Sequence, residues 1–514
     1  MRRIRLLSAF LTVGAWTLLS RVLGFVRDIL IAAFLGAGPV AEAFFVAFAL
    51  PNMFRRFFAE GAFNTAFVPM FSKRLEAGQG AQDFARDALS LLAAVLIGVT
   101  LLAQVGMPLL VLAMASGFVG DGRFDLTVDF GRIVFPYILF ISIAALLSGV
   151  LNAAGRFVAA AAAPVVLNVI LVGAMVLAAA RGWEVSAALV WAVPVAGVAQ
   201  MTLVWVAARR AGFTLLPRWP VLTPELKRLA VIAAPAALAG GVMQVNLLVG
   251  RQVASFSDGA VSWLSYADRL YQLPLGVVGV AIGVVLLPDL SRRLQAGDDA
   301  GGREAANRAA EFSLALTLPA AVALVAIPLP LVSVLFERGA FTDADSAATA
   351  LAVAVYGLGL PAFVLTKVVS PVFFAREDTR TPFRIAVVAM IVNAGVAIGG
   401  GLTIGYLGAA LGTTVAAWVN LALLWRAAGR FEAAAQPDAR LRHRVPRLVL
   451  ASLVMGAGLL AALSLAGDAF AAPGLRYLAL AALVAGGAAL YAASAFATGA
   501  VSGKDLRRFL RRAG

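Results

Sequence analysis

Residues 8–36 read SAFLTVGAWTLLSRVLGFVRDILIAAFLG. As a helix this stretch is long enough to cross the ~30 Å hydrocarbon core of a bilayer. Yet it carries Arg21, Arg27 and Asp28 well inside its apolar run. A charge near a bilayer centre costs several kcal/mol, so such a residue faces water, a partner or a cargo rather than lipid. Two further segments share the feature. Residues 40–71 hold Arg55 and Arg56, and residues 259–291 hold Arg269. Five arginines on three spanning segments predict a cationic chamber within the membrane, suited to an anionic cargo.

The rest of the chain fits that frame. Of 514 residues 62% are hydrophobic and 13% charged, and the mean hydropathy is +0.92. No soluble domain can bury that much apolar surface. Apolar runs predict fourteen helices at 8–36, 40–71, 84–116, 130–152, 157–180, 186–208, 226–255, 259–291, 309–336, 346–374, 383–402, 405–427, 447–466 and 476–500. The fold class is therefore an all-α polytopic membrane protein. The alternating strand pattern of a barrel is absent. The start, Met1-Arg2-Arg3-Ile4-Arg5, resembles a signal peptide, but no polar mature domain follows, so it is read as the first helix. Cysteine is absent and His443 is the one histidine, which excludes thiolate sites, histidine-rich zinc chemistry and a Ser-His-Asp triad.

The net charge of +15 invites a nucleic-acid reading that its distribution refutes. Numbering connections from an inside start, thirty of the 42 Lys and Arg residues fall on one side. Only Arg123, Arg132, Arg181, Arg338 and Arg476 fall on the other. Such a bias sets orientation by the positive-inside rule: both termini cytoplasmic and an even number of spans. The excess charge then serves topology and contact with anionic membrane lipids, with no nucleic-acid partner.

A weak repeat crosses the chain. Pro69, Ser72, Arg74, Leu75, Ala77 and Gly78 match Pro288, Ser291, Arg293, Leu294, Ala296 and Gly297. Asn168 and Asn393 occupy comparable settings. Six helices per unit imply two parallel pseudo-symmetric lobes around a central cavity, a transporter pattern. The expected lobes are 1–220 and 221–435, with two extra helices and a basic tail in 436–514.

Three clusters can carry chemistry. Arg21 and Asp28, seven apart, share a helix face, with Arg27 off it. Lining a cavity and pairing merely to satisfy buried charge are the two readings. In the second segment Glu42 lies near the start, and Arg56 and Glu60 are spaced to pair, which leaves Arg55 as the better cavity residue. In the eighth, Asp268 and Arg269 are adjacent and point about 100° apart, with Tyr266 and Gln272 three residues to either side. A tether to another helix is the competing reading there. Guanidinium keeps its charge in a low dielectric and offers a planar fork to phosphate oxygens. Asp378, Asn393 and Gln244 are candidates for a monovalent-cation site, but helix capping and packing explain such residues more simply. Arg251 and Lys367 receive no role.

Arg21-Val-Leu-Gly-Phe-Val-Arg27-Asp28, Glu42-Ala-Phe-Phe, the block LPNMFRRFFAEGAF over 50–63, Tyr266-Ala-Asp-Arg-Leu270 and Phe374-Ala-Arg-Glu-Asp378-Thr-Arg-Thr-Pro382 closely resemble the MurJ/MviN family. The resemblance covers nearly the whole chain. It implies a lipid II flippase, not an enzyme, that moves the undecaprenyl-pyrophosphate-linked peptidoglycan precursor to the outer leaflet of the bacterial inner membrane by alternating access. It implies that Arg21, Arg27, Arg55 and Arg269 receive the pyrophosphate and headgroup. Asp28, Glu42, Arg56, Glu60 and Asp268 then supply supporting charge or pairing, and the last two helices form a groove for the polyprenyl tail. It further implies a monomer without metal or organic cofactor, working beside the cell-wall synthesis machinery and coupled to a monovalent cation or the membrane potential. The family's usual Asp is Glu42 here, and its sodium site is not carried over. Two alternatives from the same superfamily stay open: a flippase for another polyprenyl-pyrophosphate glycan, and a cation-coupled drug antiporter. A non-transporting scaffold gives no reason to retain the buried arginines.

Overall fold

The computed structural model describes residues 2–55, 62–281, 292–293, 296–431, 436–472 and 474–501. In chain order the helices are α1 (Arg2–Leu35), α2 (Pro39–Arg55), α3 (Ala62–Ala77), α4 (Ala81–Ala115), α5 (Gly122–Val134), α6 (Tyr137–Ala153), α7 (Val158–Arg181), α8 (Val185–Arg210) and α9 (Pro224–Ala254). There follow α10 (Ala260–Ala281), α11 (Asp299–Ala326), α12 (Pro328–Phe336), α13 (Asp343–Phe374), α14 (Arg380–Ile404), α15 (Leu407–Ala428), α16 (Ala439–Leu465), α17 (Gly467–Ala471) and α18 (Leu475–Ala497). No strand occurs among the described residues. Ten of their helical stretches are long and apolar enough to span a membrane: α4, α5–α6 together, α7, α8, α11, α13, α14, α15, α16 and α18. The helices that bear Arg21, Arg27, Arg55 and Arg269 are not among these ten.

Expected single spans divide at proline. The segment expected at 130–152 begins earlier and breaks at Phe135-Pro136. That expected at 309–336 breaks at Ile327, ahead of Pro328. Proline donates no amide hydrogen bond, and before Pro328 its ring pushes Ile327 out of the helical region (φ −129°, ψ 43°), whereas Phe135 before Pro136 keeps helical angles. The expected 40–71 span is seen as α2 and α3, and residues 56–61 between them lie outside the described residues, Arg56 and Glu60 included.

The chain folds as two compact units. The first comprises residues 1–262 with Arg338–Phe341. In it α1 lies on α7, α2 on α5, α3 on α6 and α9, and both α6 and α7 on α8. The second comprises 263–337 with 342–514. There α11 lies on α13 and α16, α15 on both α13 and α14, and α16 on α18. Packing against α3 and α4 draws α9 into the first unit, and packing on α11 draws α16 into the second.

Small residues set the closest helix contacts. A Cβ on Gly408 would lie 2.4 Å from the Gly400 carbonyl carbon, so α14 and α15 meet backbone to backbone. In a bilayer such close approach supplies the packing that the hydrophobic effect supplies in water. Helix starts are capped by side chains: Thr223 opens α9 ahead of Pro224, Thr342 and Asp345 form a capping box on α13, and Asp438 caps α16.

Each unit also carries a polar strap. After α8 the chain returns along the start of α4. Gln82 donates to the Thr214 carbonyl (3.1 Å), the Arg218 amide to Ser90 Oγ (2.9 Å), and Arg218 pairs with Asp87. After α15 the chain returns in the same way to the start of α11. Arg303 donates to the Gln436 carbonyl (3.0 Å), the Asp438 amide to Asn307 Oδ1 (3.0 Å), and Glu311 gathers Arg308, Arg440 and Arg444.

Candidate functional site

On α1, Arg21 and Arg27 have opposite surroundings. Arg27 is buried at 7% exposure. Its Nε and Nη2 donate to Asp28 Oδ1 (3.0 and 2.8 Å), and its Nη1 donates to Asn168 Oδ1 (3.0 Å). Asn168 is in turn fixed by its Nδ2, which donates to the Ser20 carbonyl (3.0 Å) and the Pro164 carbonyl (3.2 Å). The Phe48 ring lies 5.9 Å from the guanidinium carbon. Arg27, Asp28 and Asn168 thus form a polar cluster between α1 and α7, in which Asp28, expected on the face of Arg21, pairs with Arg27. Arg21 is exposed on the same helix and makes no hydrogen bond or ion pair with any described residue.

Arg55, also in the first unit, is half-buried at the end of α2. In the second unit Asp268 and Arg269 are half-buried on α10. Asp268 accepts from Gln272 one turn on. Tyr266, expected on a polar face, is fully buried with its ring 5.3 Å from Phe336, and Tyr271 lies between Tyr356 and Phe363. An aromatic layer therefore holds α10 and its arginine.

Glu42 has no exposure at all. Its Oε2 accepts from Arg123 Nη1 (3.0 Å) and its Oε1 from the Val261 amide (3.1 Å). Arg123 is also buried, stacks 4.5 Å over Phe118, and reaches Asp121 (2.6 Å) and Asp258 (2.9 Å) as well. The hydrogen-bonded Arg123 guanidinium holds the Asp121 carboxyl below its ordinary range. Arg123 was expected only as a connection charge. The signal that could have found it is the fully apolar setting of Glu42, which demands a cationic partner.

Asp378 accepts from the Thr381 amide (3.0 Å) at the start of α14, and Asn393 is buried against α15, where a Cβ on Gly412 would lie 2.6 Å from its Oδ1. Gln244 is buried on α9. Among the described residues no group of three or more His, Asp or Glu side chains could hold a metal ion.

Ten helical stretches long and apolar enough to cross a bilayer define a multi-pass membrane protein. The chain belongs to the lipid II flippase MurJ family, whose model matches residues 31–474. It is 46% identical to the probable lipid II flippase MurJ of Rhizobium meliloti (strain 1021), over 99% of this chain and 96% of that protein. It is 39% identical to the lipid II flippase MurJ of Burkholderia cenocepacia, over 76% and 77%. Among solved structures it resembles a lipid II flippase MurJ in an inward closed conformation, with a TM-score of 0.79, 23% identity, and 94% and 97% of the two chains covered. It also resembles an inward-facing multidrug resistance MATE family transporter of the MOP superfamily, with a TM-score of 0.65, 16% identity, and 81% and 95% covered. These structural likenesses concern the fold.

Proposed function

We propose that this chain flips lipid II by alternating access and that Arg21, Arg55 and Arg269 receive its pyrophosphate and headgroup. The observation that carries the reading is Arg21, an exposed guanidinium on α1 with no partner among the described residues, while Arg27 on the same helix is buried and bonded to Asp28 and Asn168. A diphosphate offers such a group the bidentate, charge-assisted contact that offsets desolvation. Arg27 takes a different part: it fixes α1 to α7 and so sets where Arg21 stands. The thirty-to-five distribution of Lys and Arg supports cytoplasmic termini. The polyprenyl tail stays in the bilayer, and α16 and α18 supply apolar surface for it. The chain works as a monomer beside the cell-wall synthesis machinery. The membrane potential, worth about 2.3 kcal/mol per charge per 100 mV, biases return of the empty cationic site. Transport that is unchanged after the potential is collapsed would remove that coupling.

The test is lipid II translocation in cells depleted of their own flippase, with the wild-type chain and Arg21→Ala, Arg55→Ala and Arg269→Ala at matched membrane levels. Rescue by wild type and loss in the three variants is expected. Rescue by all four would keep the activity and overturn the site.

A further inference from the structure

Trp263, Asp345 and Tyr406 come together within the second unit. The Trp263 indole, on α10, donates from Nε1 to Asp345 Oδ1 in the first turn of α13 (2.8 Å). The other oxygen of that carboxylate accepts from the Thr342 amide (2.9 Å) and hydroxyl (2.8 Å). One side chain thus completes the cap of α13 and holds the indole of α10. Tyr406, just before α15, meets the indole edge-on with ring centroids 5.1 Å apart, and its hydroxyl donates to the Ala348 carbonyl of α13 (2.9 Å). Indole, carboxylate and phenol close a triangle on the start of α13. Further along α10, the Tyr271 ring lies 5.3 Å from Tyr356 and 5.6 Å from Phe363, both on α13. Arg269 falls between these two fastenings, six residues after Trp263 and two before Tyr271.

The fastenings differ in kind. Apolar burial of the Tyr271 ring is non-directional and tolerates a slide or a small rotation. A hydrogen bond to a carboxylate is directional and about twice as strong as a neutral one. We infer that Trp263 and Asp345 set the place of Arg269 by tying α10 to the start of α13. Six residues span about 9 Å of helix, so a slide or turn at Trp263 reaches Arg269 undiminished. Trp263 and Asp345 are positioning residues that touch no cargo. The inference rests on the reading that Arg269 contacts the pyrophosphate.

Lipid II binding to the purified full-length chain tests it. Trp263→Phe keeps a ring against Tyr406 and leaves the Thr342–Asp345 cap in place, so the indole N–H alone is lost. It is expected to raise the Kd about fivefold, within the range of one lost charge-assisted hydrogen bond, and Arg269→Ala about tenfold or more. Combined with Arg269→Ala, Trp263→Phe is expected to weaken binding no further; combined with Arg21→Ala, the two effects are expected to multiply. A merely structural loss would multiply with both. Thr342→Ala weakens the cap but spares the indole bond, so it should lower the thermal midpoint and leave the Kd unchanged. Should Trp263→Phe not fold, Asp345→Ala is compared with Thr342→Ala. A fivefold higher Kd in Asp345→Ala supports the tie, and equal values overturn it. An unchanged Kd in Trp263→Phe, or multiplication with Arg269→Ala, would overturn the tie and leave the arginine reading intact. An Arg269→Ala that binds normally would overturn both.

Discussion

Arg27 on α1 and Asn168 on α7 are joined by a 3.0 Å hydrogen bond across 141 positions of sequence. The same amide side chain donates to the Ser20 carbonyl, immediately before Arg21. The bonded arginine therefore fixes the helix that presents the unbonded one. Asn168→Ala should leave a buried guanidinium short of one acceptor, at about 1–3 kcal/mol. The expected result is a lower midpoint of thermal unfolding in detergent, with lipid II translocation falling less than in Arg21→Ala. Equal or greater loss of translocation at matched levels would place Asn168 on the cargo.

Gly36 and Gly339 make a second exacting contact in the first unit. Both have positive φ, 65° and 60°. The Ala340 amide donates to the Ala33 carbonyl (2.8 Å). A Cβ on Gly339 would lie 2.1 Å from the Ala33 oxygen, and one on Gly36 2.5 Å from the Ala340 oxygen. Either glycine changed to alanine should cost more than about 1 kcal/mol, since backbone cannot step aside as a side chain can. Thermal unfolding of the two variants would check this, and unchanged midpoints would contradict the contact.

Asp121 supplies a pH dependence with a definite sign. Its folded carboxyl is held below the ordinary value of 3.8 by Arg123. Its contribution to stability is therefore complete above that ordinary value and is lost as pH falls through the lower, folded one. Asp121→Asn should lose stability at neutral pH and show a shallower acid-side decline than wild type. Parallel acid curves would remove Asp121 from the account.

The strap on α4 should be separable from transport. Arg218→Ala leaves the mostly buried Asp87 without its partner. Trypsin cleavage at Arg209 or Arg210, both exposed at the end of α8, should quicken severalfold as the strap loosens. A digestion rate equal to wild type would mean that the backbone bonds of Thr214 and Arg218 hold the strap alone.

The membrane class was legible because hydropathy acts locally: a run of apolar residues reports its environment without knowing its neighbours. Proline breaks at Pro136 and Pro328 were legible in principle and were overridden by the length of the apolar run. The positions of the charges along α1 were legible as well, but the spacing that put Arg21 and Asp28 on one face did not foresee that Asp28 is buried against Arg27 while Arg21 is exposed. What bound Arg27 was not, since no local rule joins position 27 to position 168, although the repeat had singled out Asn168. The role of Arg123 was hidden by its place near a connection, where arginine reads as topology. Burial of Glu42 gives that arginine its importance, and burial depends on how α2, α5 and the start of α10 come together.

One consequence concerns the order in which the chain is made. The first unit includes Arg338–Phe341, contributed by sequence that follows α10, α11 and α12. The seat on α1 that receives Ala340 is thus among the earliest parts synthesised, and its occupant arrives only after the helices α2 to α12. Until then the end of α1 lacks its final backbone partner. The first unit cannot reach its finished form while the nascent chain stops short of Phe341, so a truncation before that residue removes a piece of the first unit as well as of the second.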